Sequence, residues 1–154
     1  MATLIQGSLD ARGLRFALVA SRYNEQACDR LLEAALATLR ERGAAEESLT
    51  VVRVPGAWEI PAAAAALARA GRHDAILALG VLIRGETRHF DLIAAGTARA
   101  LQELAVSSGV PIAFGILAAE NAAQVSERSG GSLGNRGGET AAAAIEMARL
   151  RRAL

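Results

Sequence analysis

Short apolar segments alternate along the chain with segments whose apolar residues recur at helical spacing, and this alternation restricts the fold most. The strand-length segments are residues 15–20, 49–54, 75–79 and 111–117; the helical ones are 24–42, 62–70, about 89–105, 121 to about 129, and the C-terminal segment after 138. Parallel strands joined by crossover helices are buried on both faces, which explains why these strands are apolar throughout. The sequence therefore predicts a three-layer α/β/α sandwich around a four-stranded parallel sheet.

Two segments lie outside this alternation. Leu4–Leu9 is a candidate for an extra edge strand, either in the chain's own sheet or added to the sheet of a neighbouring subunit. Residues 130–138 are rich in glycine and are predicted to form a flexible loop. The right-handed crossover rule makes the sandwich flavodoxin-like, and since no linker or repeat interrupts it, we predict one domain over residues 1–154.

Composition and charge exclude several classes of function. A formal net charge of +1 gives no electrostatic reason to expect nucleic acid or an anionic membrane as a partner. Cys28 is the only cysteine, which rules out an intrachain disulfide and fits a reducing compartment. No apolar stretch reaches membrane-spanning length, and the N-terminus lacks the basic and apolar segments of a signal peptide. We therefore expect a cytoplasmic protein.

Polar and aromatic residues follow the predicted strands, at the sheet edge where ligands bind in open α/β folds. Ser21–Asn24 follows the first strand, Pro55–Glu59 the second and Ala118–Asn121 the fourth. Tyr23 and Trp58 are the only tyrosine and tryptophan in the chain. Their rings either stack on a planar heterocycle or serve as ordinary packing residues.

The segment Gly80–Asp91 runs from the third strand through a glycine-punctuated turn into a helix. The first N–H groups of a helix have no intrahelical partner and the helix dipole is positive there, so the turn is a candidate anion site. His89 in the first helical turn is either a proton carrier or a histidine bonded to backbone. The other histidine, His73, is expected to be solvated in a helix-to-strand loop.

Other familiar sites are missing or incomplete in this sequence. With no second histidine near His89 and no cysteine cluster, a zinc site is not expected. The nucleoside-triphosphate loop, the dinucleotide fingerprint and the Gly-x-Ser-x-Gly elbow are absent. A receiver domain needs acidic residues after the first strand, where this chain has Ser21 and Arg22. The loop after Arg128 is either a connector or a means of bringing guanidinium groups to a phosphate.

Five segments together resemble the family of 6,7-dimethyl-8-ribityllumazine synthase, the penultimate enzyme of riboflavin biosynthesis. They are Ser21–Asn24, Pro55–Pro61, Gly80–Asp91, Pro111–Gly115 and Glu127–Gly137, in this order over nearly the whole chain. The resemblance implies condensation of 5-amino-6-(ribitylamino)uracil with 3,4-dihydroxy-2-butanone 4-phosphate, releasing phosphate and water. The amine of the uracil is the nucleophile, so no metal, redox cofactor or protein nucleophile is expected.

The resemblance also implies roles for individual residues. By similarity, Tyr23 stacks on the pyrimidine beside Asn24, and backbone groups around Leu82 and Ile83 bind the uracil edge. The expected ribityl contacts are Ala57, Trp58 and Glu59; the phosphate contacts are Gly85, Glu86, Thr87 and Arg128; the proton carrier is His89; and the residues supplied by an adjacent subunit are Phe114, Arg128 and Arg136. Arg136 stands where many family members have lysine, which keeps the charge but changes its geometry.

The resemblance further implies a homo-oligomer with its sites between subunits. The expected unit is a pentamer, and the short segment from Arg128 to Gly138 favours twelve pentamers in a 60-subunit shell. Riboflavin synthase is a candidate partner enclosed by that shell. The competing interpretation is a catalytically weak relative that binds a lumazine or flavin or forms a shell. The presence of both His89 and Arg128 argues against it.

Overall fold

The central sheet contains the strands Phe16–Ser21 (β1), Leu49–Val54 (β2), Ala75–Ile83 (β3) and Ile112–Ala119 (β4) in a computed structural model that describes residues 1–154. The strands pair in parallel in the order β2-β1-β3-β4. This confirms the predicted flavodoxin-like α/β fold. Because the chain runs from β1 to β2 on one side and to β3 on the other, a crevice opens at the carboxyl ends of β1 and β3.

Five helices cover the two faces of the sheet. They are Glu25–Glu41 (α1), Ile60–Ala70 (α2), His89–Ser108 (α3), Ala122–Arg128 (α4) and Arg136–Ala153 (α5). Side chains of β1 alternate between the faces: Phe16 and Leu18 pack with α1 and α5, whereas Ala17 and Val19 pack with α2 and α3. None of the helices has the combination of length and apolarity needed to cross a bilayer.

The third strand is longer than the sequence predicted. We expected it to end at Leu79 because a glycine follows, but β3 continues to Ile83. Gly80 lies inside the strand, at a position where a side chain would be crowded. A Cβ there would be 2.9 Å from Oγ of Ser21 and 3.3 Å from Cδ1 of Ile60. The glycine therefore permits close packing within the sandwich and does not begin a turn. The connection to α3 is correspondingly short and covers residues 84–88.

The glycine-rich segment is also more ordered than predicted. Ser129–Gly131 (β5) and Gly134–Asn135 (β6) pair as a small antiparallel hairpin, so the prediction of a flexible loop over residues 130–138 was wrong. Helix α5 begins within that segment, where Oδ1 of Asn135 accepts the N–H of Gly137 at 2.8 Å. A Cβ on Gly137 would overlap the carbonyl oxygen of Leu31, so this glycine lets α5 lie directly against α1.

The N-terminal segment does not join the chain's own sheet. Residues 1–8 form no strand, and Leu4 and Ile5 are 84% and 47% exposed. The strands β2 and β4 are the open edges of the sheet, since each pairs with only one neighbour. The sharing of Leu4–Leu9 with another subunit stays a prediction.

Candidate active site

A cavity of about 620 Å³ opens at the carboxyl ends of β1, β2 and β3, beside the first turns of α3. Its position at the reversal of strand order is where α/β sheets bind ligands. Most of the predicted site residues line it: Tyr23, Asn24, Ala57, Trp58, Glu59, Leu82, Ile83, Gly85, Thr87 and His89. The sheet edge chosen from the sequence therefore contains a pocket large enough for a small organic molecule.

The turn after β1 holds Tyr23 by its main chain and leaves most of its ring exposed. The N–H of Tyr23 donates to the carbonyl of Pro55 at 2.9 Å. The thiol of Cys28 donates to the carbonyl of Tyr23 at 3.2 Å, and burial raises the pKa of this thiol, which keeps it protonated. The Tyr23 side chain is 65% exposed and borders the cavity. A fixed backbone with an open aromatic face is suited to stacking on a flat ligand.

Asn24 connects the same turn to β3, the strand beside β1 in the sheet. It is the only residue other than glycine with a positive φ, at 63°, a left-handed conformation that asparagine tolerates better than most residues. Its Nδ2 donates to the carbonyl of Val81 at 3.1 Å. The side chain therefore ties β1 to β3 across the crevice, and its Oδ1 has no partner within the chain.

The 3₁₀ turn Ala57–Glu59 forms a second wall of the cavity, next to Tyr23. Glu59 folds back so that its Oε2 accepts the N–H of Gly56 at 3.0 Å, which leaves Oε1 open to a donor from a ligand. Trp58 is 62% exposed, and its ring edge lies over α3, where a Cβ on Gly96 would be 3.4 Å from Cζ3. This wall offers a carboxylate acceptor beside an extended aromatic surface.

The connection from β3 to α3 is rich in unused donors. The N–H groups of Gly85, Glu86, Thr87 and Arg88 make no hydrogen bond within the chain. The N–H of His89 is bonded to Oγ1 of Thr87 at 3.3 Å. The exposed His89 ring makes no hydrogen bond, so the interpretation of His89 as a backbone-bonded histidine is wrong for this structure. Exposed N–H groups ahead of a 20-residue helix match the predicted anion site.

The sequence analysis missed several residues of the cavity. Phe90, Leu92 and Ile93 on α3, Gly56 in the second wall and Val81 on β3 also line it. Phe90 and Ile93 belong to the apolar face of α3, so their helical spacing was visible in the sequence. That spacing identifies a buried face, but it does not show that the face ends at a cavity.

Four predicted residues lie outside this cavity. Glu86 is in the turn but does not line it. Phe114 projects from β4 and is 47% exposed. Arg128 ends α4, where its Nη1 donates to the carbonyl of Gln124 at 3.1 Å. Arg136 begins α5, with its Nε 2.9 Å from a carboxylate oxygen of Glu139. A single chain therefore does not bring Phe114, Arg128 or Arg136 to the pocket.

The cavity lacks a permanent positive charge. All 17 basic residues of the chain are arginines, and none of them lines the pocket, whose only titratable acid or base side chains besides Tyr23 are Glu59 and His89. For an anion such as a phosphate group, which carries about −1.5 to −2 charges at neutral pH, the pocket offers only the backbone N–H groups of the turn. The chain alone thus offers a planar ligand an apolar and aromatic pocket, but it offers an anion no charged side-chain partner.

Comparisons with known proteins identify relatives along nearly the whole chain. The family model described as 6,7-dimethyl-8-ribityllumazine synthase matches residues 13–152. The protein of that name from Aquifex aeolicus is 48% identical over 151 residues, 98% of each chain. Those of Chlorobium phaeobacteroides and Nitratidesulfovibrio vulgaris strain DP4 are 47% and 46% identical, over 96% and 95% of this chain and 96% and 94% of their own.

Proposed function

The chain belongs to the 6,7-dimethyl-8-ribityllumazine synthase family, and from that premise we propose that the cavity at the carboxyl edge of its sheet binds both substrates. The chain catalyses the condensation of 5-amino-6-(ribitylamino)uracil with 3,4-dihydroxy-2-butanone 4-phosphate, a step of riboflavin biosynthesis. The reaction needs two reactants held together more than it needs a reactive protein group. Such placement supplies much of the rate in reactions of this kind.

The uracil lies against Tyr23 in this proposal. The exposed ring stacks on the pyrimidine, and backbone groups of Leu82 and Ile83 at the end of β3 bond the edge of the heterocycle. The ribityl chain extends along Ala57, Trp58 and Glu59, where the free Oε1 of the carboxylate accepts from its hydroxyls. Support comes from the lining of the pocket: an exposed aromatic ring lies beside a turn that offers a polar acceptor.

The butanone phosphate lies at the turn before α3. The N–H groups of Gly85, Glu86 and Thr87 bond the phosphate, while the Glu86 side chain stays outside the cavity. The uracil amine attacks the ketone carbonyl and water leaves to form an imine. Phosphate is then eliminated, and ring closure releases a second water. His89, whose ring is unbonded and borders the pocket, carries the protons between these steps.

A neighbouring subunit completes the site. The observation that carries this proposal is the missing positive charge: no arginine lines a pocket that must accept a phosphate. Arg128 of an adjacent copy supplies the charge as a bidentate phosphate ligand, with Arg136 and Phe114 beside it. Consequently, replacing Arg128 with alanine should raise the Michaelis constant for the butanone phosphate and leave that for the uracil nearly unchanged.

Mixed oligomers test both the residue roles and the shared site. The variants His89→Ala and Arg128→Ala are purified separately, then dissociated and reassembled at equal ratio, and assayed below the Michaelis constant of the butanone phosphate. If the two residues serve one site from different subunits, random mixing restores about a quarter of wild-type lumazine formation, because half of the subunits are intact at each position. If both act from one chain, the mixture stays at the mean of the two variants. Reassembled wild type is the control for losses during mixing.

The assembly itself is a homo-oligomer in this proposal, a pentamer and beyond it the 60-subunit shell, with riboflavin synthase as a candidate enclosed partner. A second, largely apolar cavity of about 530 Å³ on α3, β4 and α5 includes Val106 and Leu154, which are 75% and 84% exposed. Apolar surface of this extent is typical of subunit contacts. Light scattering distinguishes the two sizes, and a stable pentamer at all concentrations would exclude the shell. The cytoplasm, where a lone cysteine stays reduced, is the proposed location.

A further inference from the structure

Arg84 lies at the end of β3, immediately before the turn that carries the unused backbone donors. Its N–H donates to the carbonyl of Ala119 at 2.9 Å, so its main chain is fixed to the end of β4. The next residue with a buried side chain is Phe90, in the first turn of α3. Residues 85–89, which are the rest of the connection and the first residue of α3, are therefore an exposed stretch whose geometry depends on how its two ends are held.

The side chain of Arg84 holds three segments together. Its Nη1 is 3.0 Å from a carboxylate oxygen of Asp91 in α3, and its Nε is 2.8 Å from a carboxylate oxygen of Glu120 after β4. Its guanidinium carbon lies 4.5 Å from the centre of the Phe90 ring. A planar guanidinium satisfies two carboxylates and stacks on a ring at the same time, which a lysine ammonium does not.

These contacts fix the spacing between β3 and the first turn of α3. Within this stretch, the bond from the His89 N–H to Oγ1 of Thr87 is the only internal tie. Without the Arg84 contacts, only the packing of its apolar face holds the first turn of α3 against the strand end, so a small shift of that turn would move His89 and the backbone donors with it. A displacement of about 1 Å in a catalytic geometry costs up to 10²-fold in rate.

We propose that Arg84 is a positioning residue that sets the geometry of the 85–89 stretch, and through it the reach of His89 and of the phosphate-binding N–H groups. This inference rests on the proposed assignment of that stretch to the butanone phosphate. The same side chain also pairs with Glu120, which shortly precedes α4, the helix that ends in Arg128. Arg84 thereby contacts both parts of the chain that contribute to active sites in this proposal: the turn with His89, which serves the chain's own pocket, and the segment leading to Arg128, which serves a neighbour's pocket.

If Arg84 had only a structural role, its loss would affect stability and activity no more than the loss of any other exposed ion pair. Arg84, Asp91 and Glu120 have side chains that are 38%, 55% and 58% exposed, and exposed ion pairs add little to stability. Arg40 offers a matched control, because it forms a two-point pair with Glu46 at 2.8 and 2.6 Å on exposed surface away from the cavity. Loss of either arginine should change the melting temperature slightly and to a similar extent.

The test compares Arg84→Met, Arg84→Lys and Arg40→Met in the assembled enzyme, with each substrate varied in turn. We expect Arg84→Met to lower kcat about tenfold and to raise the Michaelis constant for the butanone phosphate, with that for the uracil unchanged. Arg84→Lys should recover only part of the loss, and Arg40→Met should match wild type. Equal kinetics for Arg84→Met and Arg40→Met would overturn the proposal, as would a loss of kcat explained by an equal drop in assembled enzyme.

A second arm separates this inference from the proposed function. In the His89→Ala background, Arg84→Met should lower kcat no further, because the residue through which it acts is gone, yet it should still raise the Michaelis constant for the butanone phosphate. An undiminished tenfold loss of kcat in that background would overturn the positioning role. If His89→Ala alone leaves kcat unchanged, the assignment of His89 as proton carrier fails. The Michaelis constant of Arg84→Met for the butanone phosphate then still decides the role of Arg84.

Discussion

Gly56 lies directly against the ring of Tyr23: a Cβ at position 56 would be 2.7 Å from Cδ2 and 3.0 Å from Cε2 of that ring. The backbone of Gly56 is extended, with φ of −136°, so other residues can adopt it. The glycine is therefore required for space and not for an unusual conformation. Its N–H also holds Glu59, so one small residue positions both the aromatic wall and the carboxylate of the pocket.

Replacing Gly56 with alanine should push the Tyr23 ring away from the position in which we propose that it stacks on the uracil. We expect the Michaelis constant for the uracil to rise about tenfold, because stacking a base on an aromatic ring is worth roughly 1–3 kcal/mol. The constant for the butanone phosphate should stay near that of wild type. Steady-state kinetics with each substrate varied will check this.

The combination of Gly56→Ala with Tyr23→Ala provides the control for that experiment. Once the ring is absent, the added methyl group has nothing to displace, so the second substitution should have little further effect on the uracil constant. If Gly56→Ala weakens uracil binding equally in both backgrounds, the loss does not pass through Tyr23.

Replacing His89 with alanine should slow turnover by about 10²–10⁴-fold, the usual contribution of a positioned acid or base. Activity should persist above the enzyme-free rate because the pocket still holds both reactants together. Lumazine fluorescence and phosphate release, followed in parallel, measure this. His73→Ala is the matched control, since His73 lies in the loop before β3, at the opposite end of the sheet, and should keep the wild-type rate. Complete loss of activity in a well-folded His89→Ala protein would contradict this division between proton transfer and placement.

The sequence predicted the architecture well because burial on both faces leaves a strong signal in the strands. Apolar runs and periods, helped by a capping pattern at Asn121 and basic residues at the C-terminal end, predicted the four sheet strands and the five helices, and strand ends located most of the pocket. The errors concern glycine. Gly80 and Gly137 were interpreted as turn or loop residues, but both occupy regular elements where another backbone or side chain comes too close for a Cβ. Such close approaches involve residues far apart in sequence, and no local pattern records them.

The site was predictable only in part for a related reason. Tyr23, Trp58 and Glu59 stand at strand ends and are visible as rare or polar residues in an apolar context. Arg84 was part of a recognised segment, but its contacts with Asp91 and Glu120 depend on how α3 and β4 are placed. A pattern along the chain identifies where site residues can lie, whereas the residues that position them are found only from the three-dimensional structure.

The pH dependence of stability should include a contribution from His73. Burial lowers the pKa of its imidazole, the nearby Arg15 and Arg72 lower it further, and Asp74 opposes the shift. Its Nδ1 is buried without a hydrogen-bond partner. The unfolded chain therefore binds a proton more readily than the folded one, so the stabilisation is complete above the ordinary histidine pKa and is lost as the pH falls through the lowered value.

Thermal unfolding measured between about pH 7 and 5 tests this contribution, because histidine is the side chain that ordinarily titrates there. The melting temperature of wild type should fall with pH across this range. His73→Gln keeps an amide near Oγ1 of Thr50, which is 3.4 Å from the imidazole Nε2, but it cannot titrate. Its profile should be flatter, and an unchanged slope would assign the pH dependence to other groups.

Introducing charge into the N-terminal arm should disrupt assembly. Leu4 and Ile5 are exposed in the isolated chain, and Gly7 anchors the arm by packing so closely on the Glu146 carbonyl that a Cβ would overlap it. If the arm adds a strand to a neighbouring sheet, both faces of that strand become buried, so the double variant Leu4→Asp, Ile5→Asp should sediment as smaller species than wild type. Activity should fall with it, because under the proposed function a dissociated subunit no longer receives Arg128 from its neighbour. An unchanged sedimentation profile would show that the arm remains in solvent and that other surfaces hold the subunits together.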